Sequence, residues 1–504
     1  MKWSLDDVLL LALICYVILL PALQYEPYRL NDTLNNRRLL QVGLLLLVNG
    51  ISLLPGNLCR LTAFINEFTS STRIALGGII LLGLVASMRA TFLDWALLDY
   101  GHYLLLLTAI FAIGAVAYEN PSKALGYVLV GVIGFVVCYL ARVAGTYVLY
   151  QLGEFKLWPS NNHTIDLFGF SSIRTFNHTQ TWSIPILVSM GWYAWRYSAK
   201  QWLRWGLAAV IVGWGMLVFA SGARGVMLGV VVGTVVIWAF FVEEKRQFFS
   251  YCGSLVVCTL LGYFLFFELF AGGTEQTVMR ANSSNRLVIW GQMLPEIFNA
   301  PFIGYGPMHY AVYMPTNMAS SPHNWFLQFA YEWGIPVAIM LFVLFINGLK
   351  SFGKQLVKNI NDQNYMLRAK WLKLGLLWSM VAALVHGFFT RILVTPISQM
   401  LLVLVVGASL GVFFAENPKE YDAKSTPTVY QWITVFVILG SIASVSYWPL
   451  NNQIDRHELD SYYLKKTQRD RLLPRYWMQG IIGFDYSGME QENKHSKQSE
   501  AEKQ

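Results

Sequence analysis

Trp205 to Val242 reads WGLAAVIVGWGMLVFASGARGVMLGVVVGTVVIWAFFV, two apolar runs joined at Ser221-Gly222-Ala223-Arg224-Gly225, and Arg224 is its only charged residue. Each run approaches the roughly 17–25 residues that cross about 30 Å of hydrocarbon as a helix. Backbone groups in lipid must bond internally, and neither run alternates as a strand of an outer-membrane barrel does, so both read as transmembrane helices. The pattern recurs along the chain. Spans are expected near 4–22, 39–55, 73–90, 95–117, 124–149, 178–196, 205–220, 225–242, 250–270, 324–347, 371–389, 393–415 and 430–448. Composition agrees: 55% of the 504 residues are hydrophobic and 13% charged, about half the charge fraction of a soluble protein. The expected fold is all-α, a polytopic membrane protein with about 12–13 transmembrane helices.

The run Leu5 to Leu20 is read as the first span and not as a signal peptide, because Asp6 and Asp7 precede it and no small-x-small cleavage site follows. Basic residues orient the bundle. Arg196, Lys200 and Arg204, then Lys245 with Arg246, then Lys350, Lys354, Lys358, Arg368, Lys370 and Lys373 fall in loops on one side, which is cytoplasmic together with the N-terminus. The opposite side receives 150–177, 221–224, 271–323, the turn near 387–392, and the tail after Trp448. The expected division is a transmembrane domain over 1–448, with a large external loop at 271–323, and an external tail over 449–504. The polar, low-complexity stretch Glu490 to Gln504 reads as disordered. Asn285 to Phe298 reads as an amphipathic helix at the membrane surface.

The net charge of +8 is scattered among loops without a stripe or an RNA-binding motif, which argues against a nucleic-acid partner. Cys15, Cys59, Cys138, Cys252 and Cys258 show no CxxC spacing, so neither a disulfide framework nor a zinc site is expected. No internal repeat is visible, and the ionisable residues gather at one interface. A transporter or flippase would place them near mid-membrane.

Four external clusters carry candidate chemistry. Arg224 sits among small residues that let a ligand approach. Arg280 and Arg286, the latter at the expected start of a helix, combine a guanidinium with a helix N-terminus, which suits phosphate oxygens. His323 and Asn324, in Ser320-Ser321-Pro322-His323-Asn324-Trp325, sit where bilayer meets external water, and His323 is the best general base in the chain. Arg174, Asn177, His178 and Gln180 open another span, and His386 and Arg391 lie on the same side. Each of these taken alone also suits a structural role. Glu154, Asp166, Glu275 and Glu296 are the few external carboxylates, and they form no constellation able to hold a divalent cation. Several arginines with one histidine suit a pyrophosphate without metal or cofactor.

At these residues the sequence resembles the O-antigen ligase superfamily (Wzy-C type), which includes O-antigen ligases, bacterial O-oligosaccharyltransferases and Wzy polymerases. Phe219-Ala220-Ser221-Gly222-Ala223-Arg224-Gly225 is similar to its Ser-x-x-Arg-Gly helix break. Gly304-Tyr305-Gly306-Pro307 is similar to its glycine turn. Pro322-His323-Asn324-Trp325-Phe326-Leu327-Gln328, followed by Glu332-Trp333-Gly334-Ile335-Pro336, resembles its His-Asn block with the trailing Glu-x-Gly-Ile-Pro. The resemblance implies a GT-C-like enzyme of the bacterial inner membrane, with its active site facing the periplasm. It implies transfer of a glycan from undecaprenyl diphosphate to an acceptor hydroxyl, on a pilin-like protein or on lipid A core, without metal or nucleotide. The arginines matching Arg224 and Arg286 would bind the diphosphate, and the histidine matching His323 would activate the acceptor. A polymerase is the nearest alternative. Where protein-glycosylating members carry His-Ser-x-x-Glu-Tyr, this chain has His386-Gly387-Phe388-Phe389-Thr390-Arg391, which leaves protein glycosylation and lipopolysaccharide biosynthesis both open.

Overall fold

The computed structural model describes residues 5–22, 33–153, 173–240, 244–271, 286–313, 320–360, 367–418, 428–451 and 465. Among them the chain is helical, without strands. In order the helices are α1 (Leu5–Ala22), α2 (Thr33–Ser52), α3 (Pro55–Asn66), α4 (Ser70–Met88), α5 (Leu93–Glu119), α6 (Pro121–Gln151), α7 (Ile173–Tyr197), α8 (Gln201–Ala220) and α9 (Arg224–Phe240). There follow α10 (Lys245–Tyr263), continued by a π turn, α11 (Arg286–Asn299), α12 (His309–Tyr313), α13 (Trp325–Glu332), α14 (Ile335–Ile360), α15 (Leu367–Gly387), α16 (Pro396–Glu416) and α17 (Thr428–Asn451).

All the expected spans but 324–347 coincide with a helix, and the chain is a polytopic membrane protein. Eight of the described helices are long and apolar enough to cross a bilayer unaided, and a ninth arises if α2 and α3, bent by 94°, are one span. That is fewer than the 12–13 expected, and the reason is visible in α7, α9 and α15. α7 and α15 are packed on nearly all sides by other helices, so they carry Asn177, His178, Gln180 and His386 inside the bundle at a cost in hydropathy; α9 is apolar but only 17 residues long. A second difference concerns 324–347, expected as one span. Gly334, at φ +93°, splits it into α13 and α14.

Small residues let the inner helices meet backbone to backbone. A Cβ on Gly411 of α16 would lie 2.3 Å from the Gly114 carbonyl of α5, and one on Gly407 2.9 Å from that of Ile110. On α9, Gly225, Gly229 and Gly233 repeat every four residues. Their faces rest on His386, the Ala382 carbonyl and Trp378 of α15, which carry the same spacing in reverse. Trp378 Nε1 donates to the Val230 carbonyl at 3.0 Å and fixes the register. This seam brings the N-terminus of α9 against the C-terminal end of α15.

The glycine turn and the trailing block dock on each other. Tyr305 N–H donates to Tyr331 O at 3.0 Å, Gly306 N–H to Glu332 O at 2.8 Å, and Ile335 N–H to Pro301 O at 2.8 Å. A Cβ on Gly334 would meet Phe302 O at 2.3 Å, so the close approach itself demands glycine.

Candidate functional site

Four chain segments converge at one end of the bundle around a cavity of about 190 Å³. α7 contributes Arg174 and Asn177 from its N-terminal end, the α8–α9 break contributes Ser221 and Arg224, α11 contributes its first residue Arg286, and α15 contributes His386. Among the described residues, the lining holds three arginines and no carboxylate.

The break is built from its sequence. α8 closes with Ser221 N–H donating to Leu217 O at 3.0 Å, and Gly222, at φ +61°, turns the chain so that Arg224 opens α9. Arg224 and Arg174 are exposed at the mouth, while Arg286 is half-buried. Burial first, then the guanidiniums of Arg174 and Arg224, lower Arg286 from its ordinary value to about 10, so it remains a cation at neutral pH. Three mutually repelling cations around one hollow favour an anion there.

His323 lies beside this cluster. It is buried, it holds a left-handed backbone at φ +55°, and its Nδ1 has no hydrogen-bond partner among the described residues. Burial, followed by Arg391, Arg174 and Arg286, holds its imidazole well below the usual histidine range. Two contacts fix the segment. Trp290 Nε1 of α11 donates to Pro322 O at 2.9 Å. Asn324 Oδ1 accepts from Leu327 N–H at 3.1 Å, the N-cap of α13, an interaction worth about 1 kcal/mol. α11 therefore carries Arg286 at one end and braces His323 one turn further on. Its buried stripe is Ile289, Met293 and Ile297, and Leu287, Val288, Leu294 and Phe298 are exposed, as expected for a helix at an interface.

A pair of histidines lies next to His323. His386 Nδ1 is 2.6 Å from Thr181 Oγ1, His178 Nδ1 is 3.0 Å from Thr395 Oγ1, and the two rings meet edge to face at 5.5 Å. Arg391 stands near both His178 and His323 without lining the cavity.

The structure thus gathers Arg174, Asn177, Arg224, Arg286 and His386 around the cavity, with His323 and Arg391 alongside. Gln180 is elsewhere: one turn below Asn177, it donates to Trp214 O at 3.2 Å within the α7–α8 packing. Arg280, Glu154, Asp166 and Glu275 lie outside the described residues. Glu296 accepts from the Tyr305 hydroxyl at 3.0 Å, away from the cavity lining. Among the described residues, no group of three or more His, Cys, Asp or Glu side chains is arranged to hold a metal ion.

No curated protein matches the chain. Residues 214–342 match the model of the family described as O-antigen ligase (Wzy_C). The matched stretch contains Arg224, Arg286 and His323, whereas Arg174, Asn177 and His386 reach the cavity from helices outside it. Over residues 214–342 the chain is similar to the O-antigen ligase family.

Proposed function

We propose that the protein transfers a glycan from undecaprenyl diphosphate to an acceptor hydroxyl at the periplasmic face of the bacterial inner membrane, without metal. The family supports glycosyl transfer of this general kind. The observation that supports the finer reading is the cavity itself: three arginines and, among the described residues, no acid in its lining, with a buried histidine beside them.

The chemistry follows from the charges. Arg174, Arg224 and Arg286 grip the donor's diphosphate, and His323 accepts the proton of the acceptor hydroxyl through an imidazole nitrogen. The freed oxygen attacks the anomeric carbon, the bond from that carbon to the phosphate oxygen breaks, and the lipid diphosphate departs with its charge held by the arginines. The cations that fix the donor also weaken His323 as a base. Donor binding offsets this, because a diphosphate placed among them favours the imidazolium again. The base is thus strongest when the donor is in place.

The acceptor is a Ser or Thr hydroxyl of a pilin-like protein or a sugar hydroxyl of lipid A core, and a second lipid-linked glycan would make the same chemistry a polymerisation. The test is purified protein with a lipid-linked oligosaccharide donor and each acceptor class, analysed by mass spectrometry. A transferred glycan that disappears in His323→Ala is the expected result; unchanged product from well-folded His323→Ala would overturn the role of His323.

A further inference from the structure

Arg38 is among the largest fully buried side chains, 1% exposed, and lies in the second turn of α2. A buried cation in a membrane helix is expensive and is retained where its contacts matter. Its polar contacts reach four separate elements. Nη1 donates to Gln41 Oε1 at 2.8 Å on α2 itself and to Gln399 Oε1 at 2.5 Å on α16, and it lies 3.1 Å from His102 Nε2 on α5, which is also 3.1 Å from Gln399 Oε1. Nη2 donates to the backbone carbonyl of Val394, in the turn between α15 and α16. Gln399, which also accepts from Gln41 at 2.9 Å, sends its own Nε2 to the neighbouring Leu393 carbonyl at 2.7 Å.

The turn held from inside the bundle by Arg38 and Gln399 carries site residues on its other side. Arg391 is in it, and Thr395 at its end bonds His178 at 3.0 Å. The Val394 amide closes the turn on Arg391 O at 2.9 Å. We propose that Arg38 is a positioning residue for the site: its fork, fixed by Gln41, His102 and Gln399, clamps the 391–395 turn and thereby sets Arg391 and His178 beside His323. A lysine cannot replace it, because one ammonium has no planar fork to reach the turn carbonyl and the glutamine together. The structural half stands on hydrogen bonds alone; the consequence for chemistry rests on the glycan-transfer reading above.

The experiment separates the two. Wild type, Arg38→Lys, Arg38→Gln and Gln399→Met are reconstituted in nanodiscs. Hydrogen–deuterium exchange is followed at 391–395 and, as an internal reference, at 221–225. Transfer is measured per folded molecule, with kcat and donor KM resolved. Expected are faster exchange confined to 391–395, a kcat lowered by about 10²-fold in both Arg38 variants, and an unchanged donor KM, because the clamp does not touch Arg174, Arg224 or Arg286. Gln399→Met removes one strand of the clamp and gives a smaller effect of the same pattern, readable even if the Arg38 variants do not fold. Unchanged exchange at 391–395, or an Arg38→Lys protein equal to wild type, overturns the proposal. Wild type without transfer activity overturns the functional reading and leaves the exchange result to judge the clamp.

Discussion

Gly225→Ala adds one methyl group where α9 meets α15. Its Cβ would stand 2.4 Å from His386 Cδ2 and 2.5 Å from Nε2, about 1 Å inside the roughly 3.5 Å at which carbon atoms rest. The imidazole has little room to give, since Thr181 holds its Nδ1 at 2.6 Å and His178 packs against it at 5.5 Å. Either α9 lifts from the seam, a form of overpacking that costs about 1–3 kcal/mol, or His386 swings by about 1 Å, a misplacement that slows a reaction by up to ~10²-fold. A side chain yields more readily than backbone, so the swing is expected: thermal stability near wild type and transfer reduced on the order of 10²-fold. Gly229→Ala is the control. Its Cβ would meet the Ala382 carbonyl at 2.6 Å, which cannot rotate away, so its main effect falls on stability, by about 1–3 kcal/mol. Melting in detergent and transfer from a lipid-linked donor measure both. A Gly225→Ala protein with wild-type melting and wild-type transfer would refute the close-packed seam and the place it gives His386.

Three further outcomes are expected. Arg224→Lys keeps the charge and loses the fork that grips two phosphate oxygens, so donor binding weakens and transfer falls at least tenfold; a lysine variant equal to wild type would reduce Arg224 to a topological anchor. His323→Gly removes the base and also the left-handed strain at φ +55°, so transfer is lost while unfolding becomes harder by about 1 kcal/mol, and lower stability in differential scanning would count against the strain. Transfer persists in excess EDTA and shows an acid limb. Because burial and Arg391, Arg174 and Arg286 lower the His323 pKa, the limb in kcat/KM lies below 6.5; with donor bound, the limb in kcat lies at higher pH than that in kcat/KM. Coincident limbs would sink the charge coupling between donor and base.

What the sequence made legible was local. The apolar runs marked the helices because lipid-facing segments announce themselves by composition, and Ser221–Gly225 marked a break because it interrupts such a run with small and polar residues; the break at Gly334 was not legible, because the residues on both sides of it are apolar. Partners far apart in the chain were not legible. Nothing between Thr181 and His386 in sequence tells that their side chains lie 2.6 Å apart. Asn177 and Gln180 are one turn apart and part company only because α8 lies against the face that carries Gln180. The Gly225, Gly229, Gly233 spacing is readable as a packing face, but its partner helix is not.

Arg38 is the instructive omission. On the orientation expected from the basic loops, Arg37 and Arg38 fall at the non-cytoplasmic end of the second span, where the positive-inside bias disfavours cations. A basic pair that runs against this bias is a candidate for a buried role, and the residue types alone already carry that signal. The same reasoning separates the arginines of this chain into two kinds. Those at the cavity, Arg174, Arg224 and Arg286, are the first residues of helices or lie next to them, so a small change of the loop before each helix re-aims them. Arg38 instead acts from inside the bundle, where its polar partners come from α2, α5, α16 and the 391–395 turn together. In the proposed reaction the cations that meet the donor are therefore set by helix starts, and the histidines are set by the packing of the whole bundle. A variable donor or acceptor can be accommodated at the first without disturbing the second.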